Sequence, residues 1–266
     1  MTLEEHNRLF SFFNLISDYL YDGHSRNHEP AANVSAFMPP ASKPPIPQIY
    51  LVDEDEESDD QGEDSRCDEN FSDSATDSLE AIVSDICACK ACDLSATRTN
   101  TVPGEGSTHP LVLVIGEGPG ADEDAQGKPF VGRAGKLLDK MLAAIDLSRD
   151  ENCYIANMVK CRPPGNRDPA HEEISSCFCF LKRQIILLKP KIILCAGRIA
   201  AKSLLKTDKG LSALRGEFRD FAIGDTVIPV LCTFHPSALL RDEANKRPAW
   251  EDLKLLRQKL NSPGEG

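Results

Sequence analysis

The chain has 266 residues, of which 42 are Asp or Glu and 30 are Lys or Arg, so its formal net charge at pH 7 is −12. The charge is uneven, because residues 1–80 carry 19 acidic and 4 basic side chains and the remainder carries 23 acidic and 26 basic ones. No apolar run approaches the length of a membrane span, which excludes a membrane-spanning protein. Residues 81–266 are mildly basic, and this charge is compatible with a nucleic-acid partner.

The N-terminal residues 1–22 are predicted to form an amphipathic helix, because apolar side chains recur at helical spacing between Leu9 and Leu20. Such a helix either docks an unknown partner or packs on its own domain, and the sequence leaves both open. Residues 23–78 are first proline-rich and then densely acidic, which predicts a disordered linker. Its acidic part either mimics DNA or serves as a solvated tether.

From residue 79 to 262, short apolar runs alternate with helical patterns, which predicts one α/β domain. Strands are expected at 111–116, 153–159, 191–197 and 227–234, and helices at 134–145, 170–189, 198–205 and 248–260. Strands this apolar are typical of a parallel sheet covered by helices on both faces. The functional loops are then expected at the carboxyl ends of the strands.

The first strand runs into a glycine-rich loop, Gly116-Glu-Gly-Pro-Gly-Ala121, whose spacing matches a dinucleotide-binding turn. Two features argue against a bound phosphate. The three acids that follow the loop would repel it, and the next helix is expected only near Gly132–Arg133. We therefore expect the backbone of this loop to approach another kind of ligand, and Asp122 and Asp124 to be solvated charges.

Nine of the ten cysteines lie between Cys87 and Cys232, and no secretory signal is visible. Metal or redox roles in a reducing compartment, the cytoplasm, are therefore expected. A C-x2-C pair and two later cysteines suit either tetrahedral zinc or an iron–sulfur cluster, and their spacing does not choose between the two. The candidate ligands are Cys89, Cys92, Cys161 and Cys177, with Cys87 and Cys179 as rivals and with Cys153, Cys195 and Cys232 as buried thiols in strands.

Three long motifs alternate with these cysteines: "GEGPGADEDAQGKPFVGRAG", "NMVKCRPPGNRDP" and "FHPSALLR". In this order they resemble the family 4 uracil-DNA glycosylases, the iron–sulfur branch of that superfamily. The resemblance covers residues 84–260 and leaves the first 80 residues out. It implies a three-layer α/β/α sandwich with a central four-stranded parallel sheet.

The resemblance also implies a function in base excision repair. A monofunctional glycosylase of this family flips uracil out of DNA, hydrolyses its N-glycosidic bond and leaves an abasic site. A structural [4Fe-4S] cluster would be held by Cys89, Cys92, Cys161 and Cys177. The alternative from another class is a non-catalytic, zinc-stapled nucleic-acid-binding module.

The motifs place two residues against the extruded base. Phe130 matches the aromatic residue that stacks on uracil. Asn157 offers an amide donor and acceptor side by side, which match O4 and N3–H of uracil and mismatch cytosine. Since an amide can rotate to suit cytosine, we expect a second residue to fix the orientation of Asn157.

Glu117, Glu123 and His235 are predicted to be catalytic, and Gly118 is predicted to bind the substrate. Glu123 aligns with a carboxylate of the resembled family that lies near uracil C5. A carboxylate there could exclude the methyl group of thymine and position water. Glu117 and Gly118 lie where the loop approaches the sugar, and a carboxylate there would stabilise an oxocarbenium-like sugar. His235 is expected to donate a hydrogen bond to O2 of the leaving uracil.

The contacts with DNA itself are predicted from positive charge and from the loop after His235. That loop is expected to wedge into the base stack. The candidate DNA-binding residues are Arg133, Lys160, Arg162, Arg167, Ser237, Leu240 and Arg241. The expected partner of the protein, a monomer, is uracil-containing DNA, single- or double-stranded, and no membrane is involved.

Overall fold

The computed structural model describes residues 77–262. The predicted N-terminal helix and residues 23–76 of the predicted linker lie outside the described residues. The last two residues of that linker belong to the folded domain. The Asp77 carboxylate accepts two hydrogen bonds from Arg183, both of 2.8 Å. Ser78 Oγ accepts from Ala81 N and caps the first helix.

A six-stranded sheet forms the centre of the domain, in the order β1-β3-β2-β4-β6-β5. The strands are β1 (Glu105–Gly106), β2 (Val112–Gly116), β3 (Cys153–Asn157), β4 (Ile192–Ala196), β5 (Phe218–Ile223) and β6 (Thr226–Thr233). The central four strands run parallel, whereas β1 and β5 pair antiparallel at the two edges.

The prediction of a four-stranded parallel sheet is therefore wrong about the edges of the sheet. Strand β1 is only two residues long, too short to leave a pattern in the sequence. Strand β5 carries Arg219 and Asp220 and is partly exposed, which hid it from a search for apolar runs. The exposed Gly224-Asp225 turn joins β5 to β6 and is the hairpin signal that would have found it.

In the described part of the chain, eight α-helices surround the sheet. They are α1 (Leu79–Ala88), α2 (Ala121–Gln126), α3 (Arg133–Ala143), α4 (His171–Leu188), α5 (Arg198–Leu205), α6 (Leu211–Leu214), α7 (Pro236–Arg241) and α8 (Lys246–Asn261). Within residues 77–262, no helix combines the length and the apolar character needed to cross a membrane.

Alternate side chains of β2 enter two separate cores, which gives the domain its three layers. Val112 and Val114 pack with apolar residues of α3, α7 and α8. Leu113 and Ile115 pack on the other face with residues of α4, α5 and α6. All five residues of β2 are buried, as expected of a parallel strand covered on both sides.

The glycine-rich loop leads into a helix earlier than predicted. Helix α2 begins at Ala121, directly after the loop, and α3 begins at Arg133. Acids in the first turn stabilise a helix N-terminus, so the three acids that argue against a phosphate also begin α2.

Candidate active site

A cleft of about 490 Å³ opens at the carboxyl ends of the parallel strands. Its walls come from the loops after β2, β3, β4 and β6. The cleft is large enough for a small organic ligand. The predicted site residues that line it are Glu117, Gly118, Glu123, Phe130, Asn157, Arg167, His235, Ser237 and Arg241.

His235 presents a neutral hydrogen-bond donor at this cleft. Its Nδ1 accepts a 3.2 Å hydrogen bond from Ser237 N and lies 2.8 Å from Ser237 Oγ. Because a backbone N–H can only donate, Nδ1 carries the lone pair and the ring proton is on Nε2. Burial, together with the charge of Arg241, lowers the pKa of His235 to about 4. The ring is therefore uncharged at neutral pH.

Phe130 lies beside His235 in an unusual backbone conformation. Its ring centroid is 5.4 Å from that of His235, with the planes tilted by 33°. The side chain is 5% exposed and φ is +52°, in the left-handed region that costs a bulky residue on the order of 1–3 kcal/mol. A Cβ on Gly116 would lie 2.7 Å from the Phe130 ring and 2.4 Å from Asn157 Oδ1. Only a glycine fits between these two side chains.

Asn157, the last residue of β3, carries an unpaired polar atom. The residue is 2% exposed, and its Oδ1 is the one buried side-chain oxygen or nitrogen in the described part of the chain that has no hydrogen-bond partner. The residue expected to fix the amide is therefore not found at Oδ1 among residues 77–262. An unpaired buried acceptor costs about 1–3 kcal/mol, which a ligand donor would recover.

Lys160 does not contact phosphate, and that prediction is wrong. The residue is 1% exposed. Its Nζ donates to Asn157 O at 3.0 Å and to Gln184 Oε1 at 2.8 Å. Burial lowers the pKa of Lys160 to about 8. Its ammonium thus supports the backbone of Asn157 from the interior of the domain.

Glu123 holds the wall of the cleft together. Its Oε2 accepts from Gly120 N at 3.1 Å, and its Oε1 accepts from Val131 N and Gly132 N, both at 2.9 Å. Both carboxylate oxygens are thus bonded to backbone on the two sides of Phe130. The side chain joins the glycine-rich loop to the start of α3.

The two acids beside Glu123, Asp122 and Asp124, differ in their exposure to solvent. Asp122 is exposed, as predicted. Asp124 is 4% exposed and accepts from Thr99 N and Asn100 N, so its prediction as a solvated charge is wrong. Burial alone would raise the pKa of Asp124, but hydrogen bonds from Thr99 and Asn100 outweigh it and lower the pKa.

We expect Glu123→Ala to destabilise the domain by about 1–3 kcal/mol, because three backbone N–H groups lose their acceptor. Urea unfolding measures the change. Asp122→Ala, one residue away and exposed, is the matched control and should stay within about 0.5 kcal/mol of the unchanged protein. Equal stability of the two variants would contradict the role of Glu123 as a brace.

Glu117 is a half-buried carboxyl in the cleft. Burial raises its pKa, and the nearby Asp168 raises it further, whereas Arg198 and Arg241 act in the opposite direction. Asp168 and Arg198 also line the cleft and form a 2.5 Å ion pair. Neither was predicted, although Asp168 lies within the second motif and Arg198 directly follows a strand end.

Phe234 is another unpredicted residue of the cleft wall. The Arg215 guanidinium lies 5.3 Å from the centre of its ring and donates two hydrogen bonds to the buried Asp252. Asp252 also accepts from Thr233 Oγ1 at 2.8 Å. These contacts fix the two residues that precede His235.

The predicted DNA-binding residues have different environments. Arg133 and Arg241 are exposed, and Arg162 donates to Asn166. Arg167 forms two hydrogen bonds with Glu173. Leu240 packs partly against the core, which leaves less of it available as a wedge.

A second, smaller cavity is lined by all four candidate metal ligands, namely Cys89, Cys92, Cys161 and Cys177. The rivals Cys87 and Cys179 do not line it, which favours the predicted set. The strand cysteines Cys153, Cys195 and Cys232 are buried thiols, as expected.

N–H groups point at three of the four sulfurs. Arg98 Nη1 donates to Cys161 Sγ at 3.0 Å, Lys160 N to Cys177 Sγ at 3.3 Å and Ala91 N to Cys89 Sγ at 3.5 Å. Burial raises the pKa of the Cys177 thiol to about 12, and it also raises that of Cys92 and Cys161. Without a bound metal, burial therefore favours the protonated thiols of Cys92, Cys161 and Cys177.

Within residues 77–262, no three His, Cys, Asp or Glu side chains are grouped closely enough to hold one ion. Four cysteines that line one cavity have the ligand chemistry of either tetrahedral zinc or an iron–sulfur group.

The sequence profile of the Uracil DNA glycosylase superfamily matches residues 103–254. The chain is similar to the type-4 uracil-DNA glycosylase of Archaeoglobus fulgidus, with 43% identity over 62% of this chain and 84% of the relative. It is also similar to the type-4 enzymes of Sulfurisphaera tokodaii, with 41% identity over 70% of this chain and 87% of the relative, and of Thermotoga maritima, with 41% identity over 70% of this chain and 96% of the relative.

Proposed function

Because the chain belongs to the uracil-DNA glycosylase superfamily and, within it, to the type-4 enzymes, we propose that its cleft excises uracil from DNA. It is a hydrolase of N-glycosyl bonds that acts in DNA repair. One observation carries the assignment of the site. The unpaired Oδ1 of Asn157, the ring of Phe130 and the neutral imidazole of His235 all line the same cleft.

Phe130 receives the extruded base. Flipping a base out of a duplex costs a few kcal/mol, and stacking on an aromatic ring returns about 1–3 kcal/mol. The ring lies between Gly116 and His235, so a base stacked on it meets both Asn157 and His235.

Asn157 reads the base through its amide. Its unpaired Oδ1 accepts from N3–H of uracil, and its Nδ2 donates to O4. Cytosine has no hydrogen on N3 and carries a donor at C4, so it leaves Oδ1 unpaired. In the amide orientation that the structure shows, this unpaired acceptor is the energetic basis of discrimination.

His235 stabilises the leaving group. When the bond between C1′ and N1 breaks, the uracil takes the electron pair and negative charge develops at O2. The Nε2–H of the uncharged ring donates to that oxygen. Nδ1 stays bonded to Ser237 N, so the ring does not rotate.

Glu117 supports the sugar. Its carboxylate faces the positive charge that develops on the sugar and orients the water that adds to C1′. The water gives its hydroxyl to C1′, and its proton ends on the uracil anion, so free uracil and an abasic site remain. For Glu123, whose oxygens are bonded to backbone, the role becomes that of a brace for the wall beside Phe130.

A [4Fe-4S] cluster would be held by Cys89, Cys92, Cys161 and Cys177. Its contribution is structural, because hydrolysis transfers no electrons. It would tie the segment after α1 to the end of β3 and to α4, where these cysteines lie.

The DNA backbone is expected to contact the arginines in and around the cleft, namely the exposed Arg133, Arg167 and Arg241 and the partly buried Arg162. Such contacts make binding weaken steeply with salt. The monomeric state, the cytoplasmic location and a partner for the N-terminal helix stay predictions.

The proposed function is tested by incubation of cluster-replete protein with a uracil-containing oligonucleotide, followed by alkaline cleavage of abasic sites. We expect cleavage at uracil only, with a cytosine oligonucleotide as control. Binding without cleavage, in protein that contains stoichiometric zinc and no iron, would instead support the non-catalytic module.

We expect Asn157→Ala to lower kcat/KM for uracil about 10- to 100-fold, since both hydrogen bonds to the base are lost. Steady-state kinetics on a single-stranded substrate measures the loss. Asn166→Ala is the matched control, because Asn166 also lines the cleft but bonds Arg162. A loss of the same size in both variants would refute base reading by Asn157.

A further inference from the structure

Arg149 lies in the turn between α3 and β3 and does not line the cleft. Its side chain is only 15% exposed. Nη1 donates to Pro129 O at 3.0 Å and Nη2 donates to Phe130 O at 2.9 Å. One guanidinium therefore binds two consecutive carbonyls of the segment that carries the base-stacking ring.

Two carboxylates hold this guanidinium in place. Asp139 Oδ1 accepts from Nε at 3.0 Å and from Nη2 at 2.8 Å. Glu105 Oε2 accepts from Nη1 at 3.4 Å. Because Asp139 belongs to α3 and Glu105 to β1, the planar fork is fixed from two separate elements of the fold.

Phe130 needs such support, because its backbone is in the left-handed region. A non-glycine residue keeps that conformation only where its surroundings fix it. Helix α3 presses on the same carbonyl from another side, since a Cβ on Gly135 would lie 1.8 Å from Phe130 O. Glu123 holds the following N–H, that of Val131.

We propose that Arg149 is a positioning residue for uracil excision, which holds the Phe130 ring in its base-stacking position from outside the cleft. The inference rests on the proposed role of Phe130. Arg149 acts through the carbonyls of Pro129 and Phe130 and touches neither base nor sugar. Its loss lets the ring leave the wall beside His235, and a small displacement of a positioned group lowers rates strongly.

A double-mutant cycle tests this proposal with Arg149→Met, Phe130→Leu and the double variant. The readouts are kcat/KM on a single-stranded uracil oligonucleotide, Ki for free uracil, and Tm. We expect Arg149→Met to lower kcat/KM roughly 10- to 100-fold and to raise Ki for uracil. The double variant should be no worse than Phe130→Leu, because both changes remove the same stacking surface.

Arg257→Met is the matched control, since Arg257 forms a 2.9 Å ion pair with Asp146 near the same turn and does not bond residues 129–130. It should leave Ki for uracil unchanged. If Arg149→Met does not fold, Arg149→Lys replaces it, and we expect a raised Ki because an ammonium lacks the planar fork.

The proposal would be overturned if the losses of kcat/KM from Arg149→Met and Phe130→Leu multiply in the double variant. An unchanged Ki for uracil in a folded Arg149 variant would also overturn it. A drop in Tm alone would mark Arg149 as structural. Failure of the unchanged protein to release uracil would count against the proposed function instead, so the two failures are distinguishable.

Discussion

Replacing His235 by alanine is expected to lower kcat for uracil release by about 10²–10³-fold, with a smaller change in KM. The reason is that the Nε2–H donates to charge that develops only as the bond breaks, and removal of one such donor has an effect of this size. Single-turnover kinetics on a uracil oligonucleotide measures the chemical step directly. Ser237→Ala is the comparison variant: it removes Oγ but keeps the backbone N–H that bonds Nδ1, so we expect a smaller loss than in His235→Ala.

The pH dependence gives this prediction a second readout. The pKa of His235 lies at about 4, so the ring should not titrate between pH 5 and 8. We expect the rate to fall on the acid side as Glu117 is protonated, since burial raises its pKa above the usual value. Glu117→Gln should remove that acid limb, and a limb that shifts in a His235 variant with residual activity would contradict the assignment.

The folding stability of the protein should also depend on pH through the His235 ring. An unfolded histidine binds a proton near pH 6.5, whereas His235 in the folded chain does so only near pH 4. The unfolded state therefore binds more protons between these values, and folding stability should fall as the pH drops through them. His235→Ala should flatten this part of the stability curve.

The second large effect is expected at the cysteine cavity. Cys161→Ser and Cys177→Ser should each lose most bound iron and the visible absorption of the purified protein. Their Tm should fall by roughly 5 °C or more, because the proposed cluster would tie separate elements together. Iron analysis and absorption spectra measure the outcome without reference to activity.

The chain supplies matched controls for this prediction. Cys179 lies on the same helix as Cys177, and Cys87 precedes Cys89 by two residues, but neither lines the cavity. Cys179→Ser and Cys87→Ser should keep their iron. Loss of iron from these variants, with retention in Cys177→Ser, would reverse the ligand assignment.

The central strands and long helices were predictable because burial dictates their composition. A parallel strand covered on both faces must be apolar throughout, and all four central strands were found at their places. The short helices α2, α6 and α7 were missed, since helices of six or fewer residues leave no clear period. The ten-residue helix α1 was missed as well. The start of α2 was hidden by the assumption that its acids belong to a loop.

The residues of the cleft were predictable where a motif marks a strand end, as at Asn157 and His235. The direction in which a side chain points and the depth to which it is buried could not be predicted from the motifs. Lys160 follows a strand and was predicted to be a surface cation. Its ammonium group is instead buried, where it donates hydrogen bonds to Asn157 O and Gln184 Oε1. Arg149 carries no motif at all, and its role depends on carbonyls 19 and 20 residues away.

The exit of β3 has a practical consequence for protein engineering. Asn157 and Cys161 are separated by three residues, and Lys160 between them donates through Nζ to Asn157 O and through its backbone N–H to Cys177 Sγ. One inserted or deleted residue between them would shift the Asn157 amide relative to the Cys161 thiol. We therefore expect a length change at this point to impair base recognition and metal binding together. The exposed Gly224-Asp225 turn lies outside both cavities and is the better place for an affinity tag or a fluorophore.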